Sequence, residues 1–176
     1  MFVALATLAA CSGGGTSDAT TAPSCTSAVT NKGCFGTCDS CSLLTSALAS
    51  SGVDVALNAG DNGGNPRSCD WEHLDASGVP DVQVIVESNI NAQTFEKLCH
   101  PANHGSNDAG IIVTPASGVG DDACYVQAQG LGGPALTFLK GCWAYTISIV
   151  GPSSQFPDAT VEMEEARIAN FVVPMI

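Results

Sequence analysis

Alternation of apolar and polar positions is clearest in Asp81–Glu87, where Val82, Val84 and Val86 share one face and Gln83, Ile85 and Glu87 the other. A period of two sends successive side chains to opposite faces, so this segment predicts a half-buried strand. A second such run lies near the C-terminus, where Trp143, Tyr145, Ile147 and Ile149 alternate with Ala144, Thr146 and Ser148. Taken as three strands, Cys124–Gln129, Ala135–Leu139 and Cys142–Val150 predict an antiparallel meander. Ile111–Val113 is a further short apolar run, and Val53–Leu57 a short candidate strand. The Gly, Asn and Pro content of Asn58–Pro66 marks a loop, after which Cys69-Asp70-Trp71 starts a new element.

Helical spacing recurs three times. In Ser42–Ala49, Leu44, Ala47 and Leu48 fall on one face, with Gly52 as the expected stop. Asn91 is placed to cap a helix whose buried stripe is Ala92, Phe95, Leu98 and Cys99, ended by Pro101 and Gly105. After Pro152 and Pro157 the pattern predicts a last helix over residues 159–173, with Val161, Ile168 and Val172 toward the sheet. Glu162, Glu164 and Glu165 in its early turns and Arg167 later complement a helix dipole. Together the elements predict an α+β domain, with helices packed on an antiparallel sheet.

The N-terminus changes the setting. Met1–Ala10 is apolar and uncharged, Cys11 follows Leu8-Ala9-Ala10, and a Gly/Ser/Thr-rich stretch comes next. Leu8-Ala9-Ala10-Cys11 resembles the lipobox of a bacterial lipoprotein signal, in which the cysteine thiol takes a diacylglycerol and becomes the mature N-terminus. A usual signal is longer and opens with basic residues. Neither feature is present, so the true start is expected upstream of Met1. The expected organisation is a signal at 1–10, a lipid-bearing Cys11 with a flexible tether at 11–33, and one disulfide-rich domain at 34–176. The apolar runs are much shorter than the ~18–20 residues that span a bilayer, so membrane contact is expected only through that lipid.

Charge and cysteine content agree with this address. The formal net charge of −12 repels nucleic-acid phosphates, which excludes nucleic acid as a partner. Nine cysteines suggest disulfides outside a reducing cytosol. With Cys11 lipidated, Cys25, Cys34, Cys38, Cys41, Cys69, Cys99, Cys124 and Cys142 remain, an even set.

Three short motifs carry a resemblance. Cys41-Ser-Leu-Leu-Thr45, Cys69-Asp70-Trp71 and Gly118-Val-Gly-Asp-Asp-Ala123 follow one another in the order of the Cys-x-Leu-Leu-Thr, Cys-x-Trp/Tyr and Gly-Leu-Gly-Asp-x-Ala motifs of a family of bacterial envelope lipoproteins. The chain resembles that family over residues 38–173. The resemblance implies a compact sheet with helices, similar to the PsbP/Mog1-like arrangement, and a bond between Cys41 and Cys69. It implies no reaction, and the extra cysteines here depart from the family pattern. A Cys41–Cys69 bridge closes about 28 residues, worth roughly 3–4 kcal/mol on the chain-entropy account. Cys124 and Cys142, on strands read as neighbours, are expected to pair next. Cys25, Cys34, Cys38 and Cys99 then form two more bridges in one of three ways.

Other candidate chemistries are weaker. Cys34, Cys38 and Cys41 have the C-x3-C-x2-C spacing of a radical S-adenosylmethionine iron–sulfur site, without its barrel or reducing compartment. Cys38-Asp-Ser-Cys41 before a helix suggests a thiol–disulfide pair, since a helix N-terminus lowers a thiol pKa. Cys99, His100 and His104 with an early cysteine sketch a zinc site, but Pro101 breaks the helix that would align the histidines. His104, Ser106 and Asp108 crowd one loop, which cannot support a triad. Asp61–Asn65 and Asp121-Asp122 lack the spacing of a calcium loop. The expectation is a non-catalytic extracytoplasmic module that needs no cofactor or metal and engages an envelope protein or small ligand. A thiol-redox protein and a metal-binding domain are the alternatives.

Overall fold

The computed structural model describes residues 40–101, 110–128, 133–141 and 143–176. Six strands form one antiparallel sheet: β1 Ser68–Leu74, β2 Pro80–Asn91, β3 Ile111–Ala116, β4 Asp122–Ala128, β5 Ala135–Lys140 and β6 Trp143–Val150. Their order is β1-β2-β6-β5-β4-β3. Three helices complete the fold: α1 Ser46–Val53, α2 Ala92–Cys99 and α3 Asp158–Val172. The predicted α+β architecture and the C-terminal meander are both present. No helix among the described residues is long and apolar enough to cross a membrane.

The alternation in β2 and β6 sorts the sheet into two faces. Val82, Val84 and Val86 pack with Ile147, Ile149, Leu136, Phe138 and Trp71 in the main core, all nearly or fully buried. Helices α1 and α3 cover this face through Ala49, Val53, Val161, Ile168 and Val172. Among the described residues the opposite face carries only α2, whose Phe95 and Cys99 bury against Cys124 and Ala144.

Local chemistry explains where the helices begin and end. Thr45, not Ser42, starts α1, because its Oγ1 accepts the Leu48 N–H at 3.3 Å. The buried stripe is therefore Ala49, Gly52 and Val53, while Leu48 is 38% exposed. Gly52 does not stop the helix. A Cβ there would lie 2.4 Å from Ile168 Cγ1, so glycine is what lets α1 approach α3. The stop is Asp54, left-handed at φ 54, and this turn leaves Val55–Leu57 packed on the core as coil instead of the expected strand. Arg167 Nη1 donates to the Ser51 and Gly52 carbonyls at 3.1 and 3.4 Å, satisfying the end of α1. Asn91 caps α2 as its spacing predicts, accepting the Thr94 N–H at 2.8 Å.

Two disulfides staple the cover to the sheet. Cys41 bonds Cys69, tying the short 3-10 turn Ser40–Ser42 to β1 as the family resemblance implies. Cys124 bonds Cys99, not Cys142. The expected Cys124–Cys142 pair fails because β5 lies between β4 and β6, so the two strands are not neighbours. Cys124 instead points from β4 to the face on which α2 lands. Cys99 is thereby removed from the set expected to pair with Cys25, Cys34 and Cys38. Those three cysteines, Cys142 and Cys11 lie outside the described residues.

Both sheet edges are guarded. Along β1, the Asn58 N–H donates to the Glu72 carbonyl at 2.8 Å, and Asp61 and Asp70 exchange backbone bonds at 3.0 and 2.9 Å. On β3, Pro115 removes one donor from the outermost strand.

Candidate functional site

The face opposite the main core is the one that the described residues leave largely uncovered. Strand register places its residues in rows: Ser68, Glu87, Thr146 and Thr137; then Asp70, Ile85, Ser148 and Ala135; then Glu72, Gln83 and Val150. Helix α2 sits over Cys124 and Ala144 at one end and packs on Val113, Val126 and Leu139. The rows on β1 and β2 lie beyond this helix. Their side chains are half-buried, and no other described element packs over them.

This face has two chemically distinct halves. Beside α2 is a cleft of about 570 Å³, its walls including Leu98, Val126 and Phe156 and its floor Thr137, Thr146 and Ser148. The Thr137 and Thr146 hydroxyls bond each other at 3.2 Å. The half on β1 and β2 is acidic. Asp70, Glu72 and Glu87 stand on its rows, and a smaller hollow of about 170 Å³ joins Asp70 and Glu72 to Asn58 and Asp61. Gln83 Nε2 donates to Glu72 Oε1 at 2.6 Å, and the Ser68 hydroxyl donates to Asp70 Oδ1 at 3.4 Å. Burial raises the Asp70 pKa above the ordinary carboxylate value; the Ser68 hydroxyl opposes this, and the charges of Glu72 and Asp61 add to it. The ion pairs among the described residues are His73–Asp81, His100–Asp122, Lys140–Asp121 and Arg167–Asp54, and none engages these carboxylates.

A different carboxylate is the least expected group in the molecule. Glu165 on α3 is 0% exposed and faces the main core. Its Oε1 accepts the Ile149 N–H at 3.1 Å, and no described residue bonds Oε2. Burial pushes its pKa up to about 9, so it is neutral at pH 7. Read from the sequence as one of the acids that complement the helix dipole, Glu165 lies on the buried stripe, four residues after Val161 and three before Ile168. Its position in that i, i+4, i+7 series was the available signal.

The structure does not bring the other sequence candidates together. Cys41 is bonded to Cys69, so it forms no Cys38/Cys41 redox pair, and Cys34 and Cys38 lie outside the described residues. In the zinc set, Cys99 is bonded to Cys124, and His100 Nε2 pairs with Asp122 Oδ2 at 2.8 Å. His104, Ser106 and Asp108 lie outside the described residues. Asp61 and Asn62 accept the Gly63 and Gly64 N–H groups at 2.9 Å, as turn residues do. Asp121 accepts the Gly141 N–H at 2.7 Å and Lys140 Nζ at 3.0 Å. Set against models of protein families, curated proteins and solved structures, the chain finds no match in any of the three.

Proposed function

We propose that this chain is an extracytoplasmic lipoprotein: a non-catalytic binding module held near a membrane by a lipid on Cys11 and engaging its ligand through the uncovered sheet face. The observation that carries the reading is a disulfide-stapled sheet with one face packed and the other left as a cleft beside a polar surface. Disulfides persist in oxidising compartments, and two of them here join covering elements to strands. A rigid sheet with side chains at fixed spacing is a suitable platform for recognition. The lipobox-like Leu8-Ala9-Ala10-Cys11 and the Gly/Ser/Thr-rich stretch after it support the anchor and tether.

Intact mass of the full chain, purified without reductant from membranes of its native host, tests the anchor. The expected species begins at a lipid-modified Cys11 and lacks eight hydrogens, two for each of four disulfides. A chain that keeps Met1, without lipid and with free thiols, overturns both the anchor and the compartment.

A further inference from the structure

We infer that the uncovered sheet face binds a cationic, amphipathic polypeptide segment, with Lys or Arg side chains over Asp70, Glu72 and Glu87 and an apolar side chain in the adjoining cleft. This deepens the binding-module reading and rests on it.

The shape and the charge point to the same partner. On one face of a strand, successive side chains stand about 7 Å apart, and neighbouring strands lie about 4.8 Å apart. Asp70 and Glu72 have the first spacing on β1. Glu87 stands one strand over, opposite Ser68. Three carboxylates thus occupy a shallow surface with the apolar Ile85 between them, opposite Asp70 on one side and Ser148 on the other. An extended chain repeats its own side chains at about the same 7 Å interval, so alternate basic residues match this surface. The larger cleft begins where the acidic rows end, at Ser148 and Thr146 on β6. Its mainly apolar walls suit a side chain of the same segment. Like charges held close repel one another, and a cation laid over them relieves that repulsion. The net charge of −12 adds long-range attraction for a cationic partner.

The test uses the full chain and a labelled peptide of alternating Lys and Thr with one central Leu, followed by fluorescence anisotropy. Three variants separate this face from bulk charge. The first is D70N/E72Q/E87Q. The second is D54N/E162Q/E96Q, which removes the same charge from the end of α1, from α3 and from α2, away from the cleft. The third is Ile85→Lys, which places a cation in the middle of the rows. Melting curves confirm that each variant is folded. The expected result is at least about a tenfold loss of affinity for the first and third variants and less than about twofold for the second. Raising salt to about 0.5 M should weaken binding to the wild type. Equal losses in the first two variants, or no measurable binding to the wild type, overturn the inference. Neither result touches the Cys11 anchor, which the mass measurement tests separately.

Discussion

The two faces of the sheet are held down by different means. Two helices press on the main core face, and Val161, Ile168 and Val172 of α3 interlock with valines, isoleucines and phenylalanine from three strands. Burial of that many apolar side chains, each worth about 1.5–3 kcal/mol, fastens α1 and α3, and the Cys41–Cys69 disulfide on this face ties down the 3-10 turn and not a helix. The other face has an eight-residue helix with two buried side chains, Phe95 and Cys99. A helix this short is marginal by itself. A cap from the end of β2 fixes its start, and a covalent bond to β4 fixes its end. Where a helix buries little, a disulfide holds it down, and no described element packs on the rows beyond.

The sharpest way to break this contrast is to truncate one large side chain on each face. Trp71 and Ile85 stand on neighbouring strands, with Trp71 opposite Val84 in the core and Ile85 opposite Asp70 on the uncovered side. Trp71→Ala leaves a large cavity and is expected to cost about 3–5 kcal/mol in urea unfolding. Ile85→Ala removes contacts already shared with water and is expected to cost less than about 1 kcal/mol. Similar losses at the two sites would show that the uncovered face is packed after all.

Glu165 sharpens the comparison because the charge lies on the wrong side of it. A carboxylic acid sits in the dry core, while the acids of the uncovered face remain near water. The folded pKa of about 9 lies above the ordinary 4.5. Between these values the native state holds a proton that the unfolded chain has released. Stability is therefore full below the unfolded pKa and falls as pH rises toward 9, by at most about 1.4 kcal/mol per pH unit. Glutamine keeps the shape of the neutral acid and cannot ionise. Glu165→Gln is expected to flatten the melting temperature between pH 5 and 9 and to exceed the wild type at pH 8. Parallel pH profiles for the two proteins would mean that Glu165 is charged, and so solvated, in the fold.

How much of this was legible depends on whether a signal is local. The strands at Asp81–Glu87 and Trp143–Val150 show strict alternation, and Asn91 precedes its helix at capping distance, so these could be read directly. Leu44 is buried as expected, but the α1 stripe was misplaced because Leu48 is an attractive core residue and Gly52 looks like a stop. Only the approach of Ile168, more than a hundred positions away, shows why a glycine belongs inside the helix. The Cys99–Cys124 bond could not be read either, because it follows from the strand order and from which face α2 crosses. The uncovered face was hidden for a related reason. Gln83, Ile85 and Glu87 read as the solvent side of a strand, but their rows with Asp70, Glu72 and Ser148 exist only once β1 and β6 have docked. Glu165 was legible in principle, but its charge outweighed its place in the helical period.

The caps provide the finest test of the difference between the faces. Thr45 and Asn91 make the same kind of bond at the starts of α1 and α2, to the Leu48 and Thr94 N–H groups. Removing either one by an Ala substitution is expected to cost about 1 kcal/mol. What should differ is where the loss is felt. Helix α1 is fused to the core through Ala49, Val53 and the Arg167 contacts, so Thr45→Ala should lower global stability and leave local opening unchanged. Helix α2 has little core of its own, so Asn91→Ala should free its first turn while the Cys99–Cys124 bond holds the last. Hydrogen exchange is expected to speed up at Thr94–Glu96 in Asn91→Ala, with the amides of α3 unchanged. Faster exchange across the whole sheet would mean that α2 unfolds only with the rest of the domain, and that the two faces form one cooperative unit.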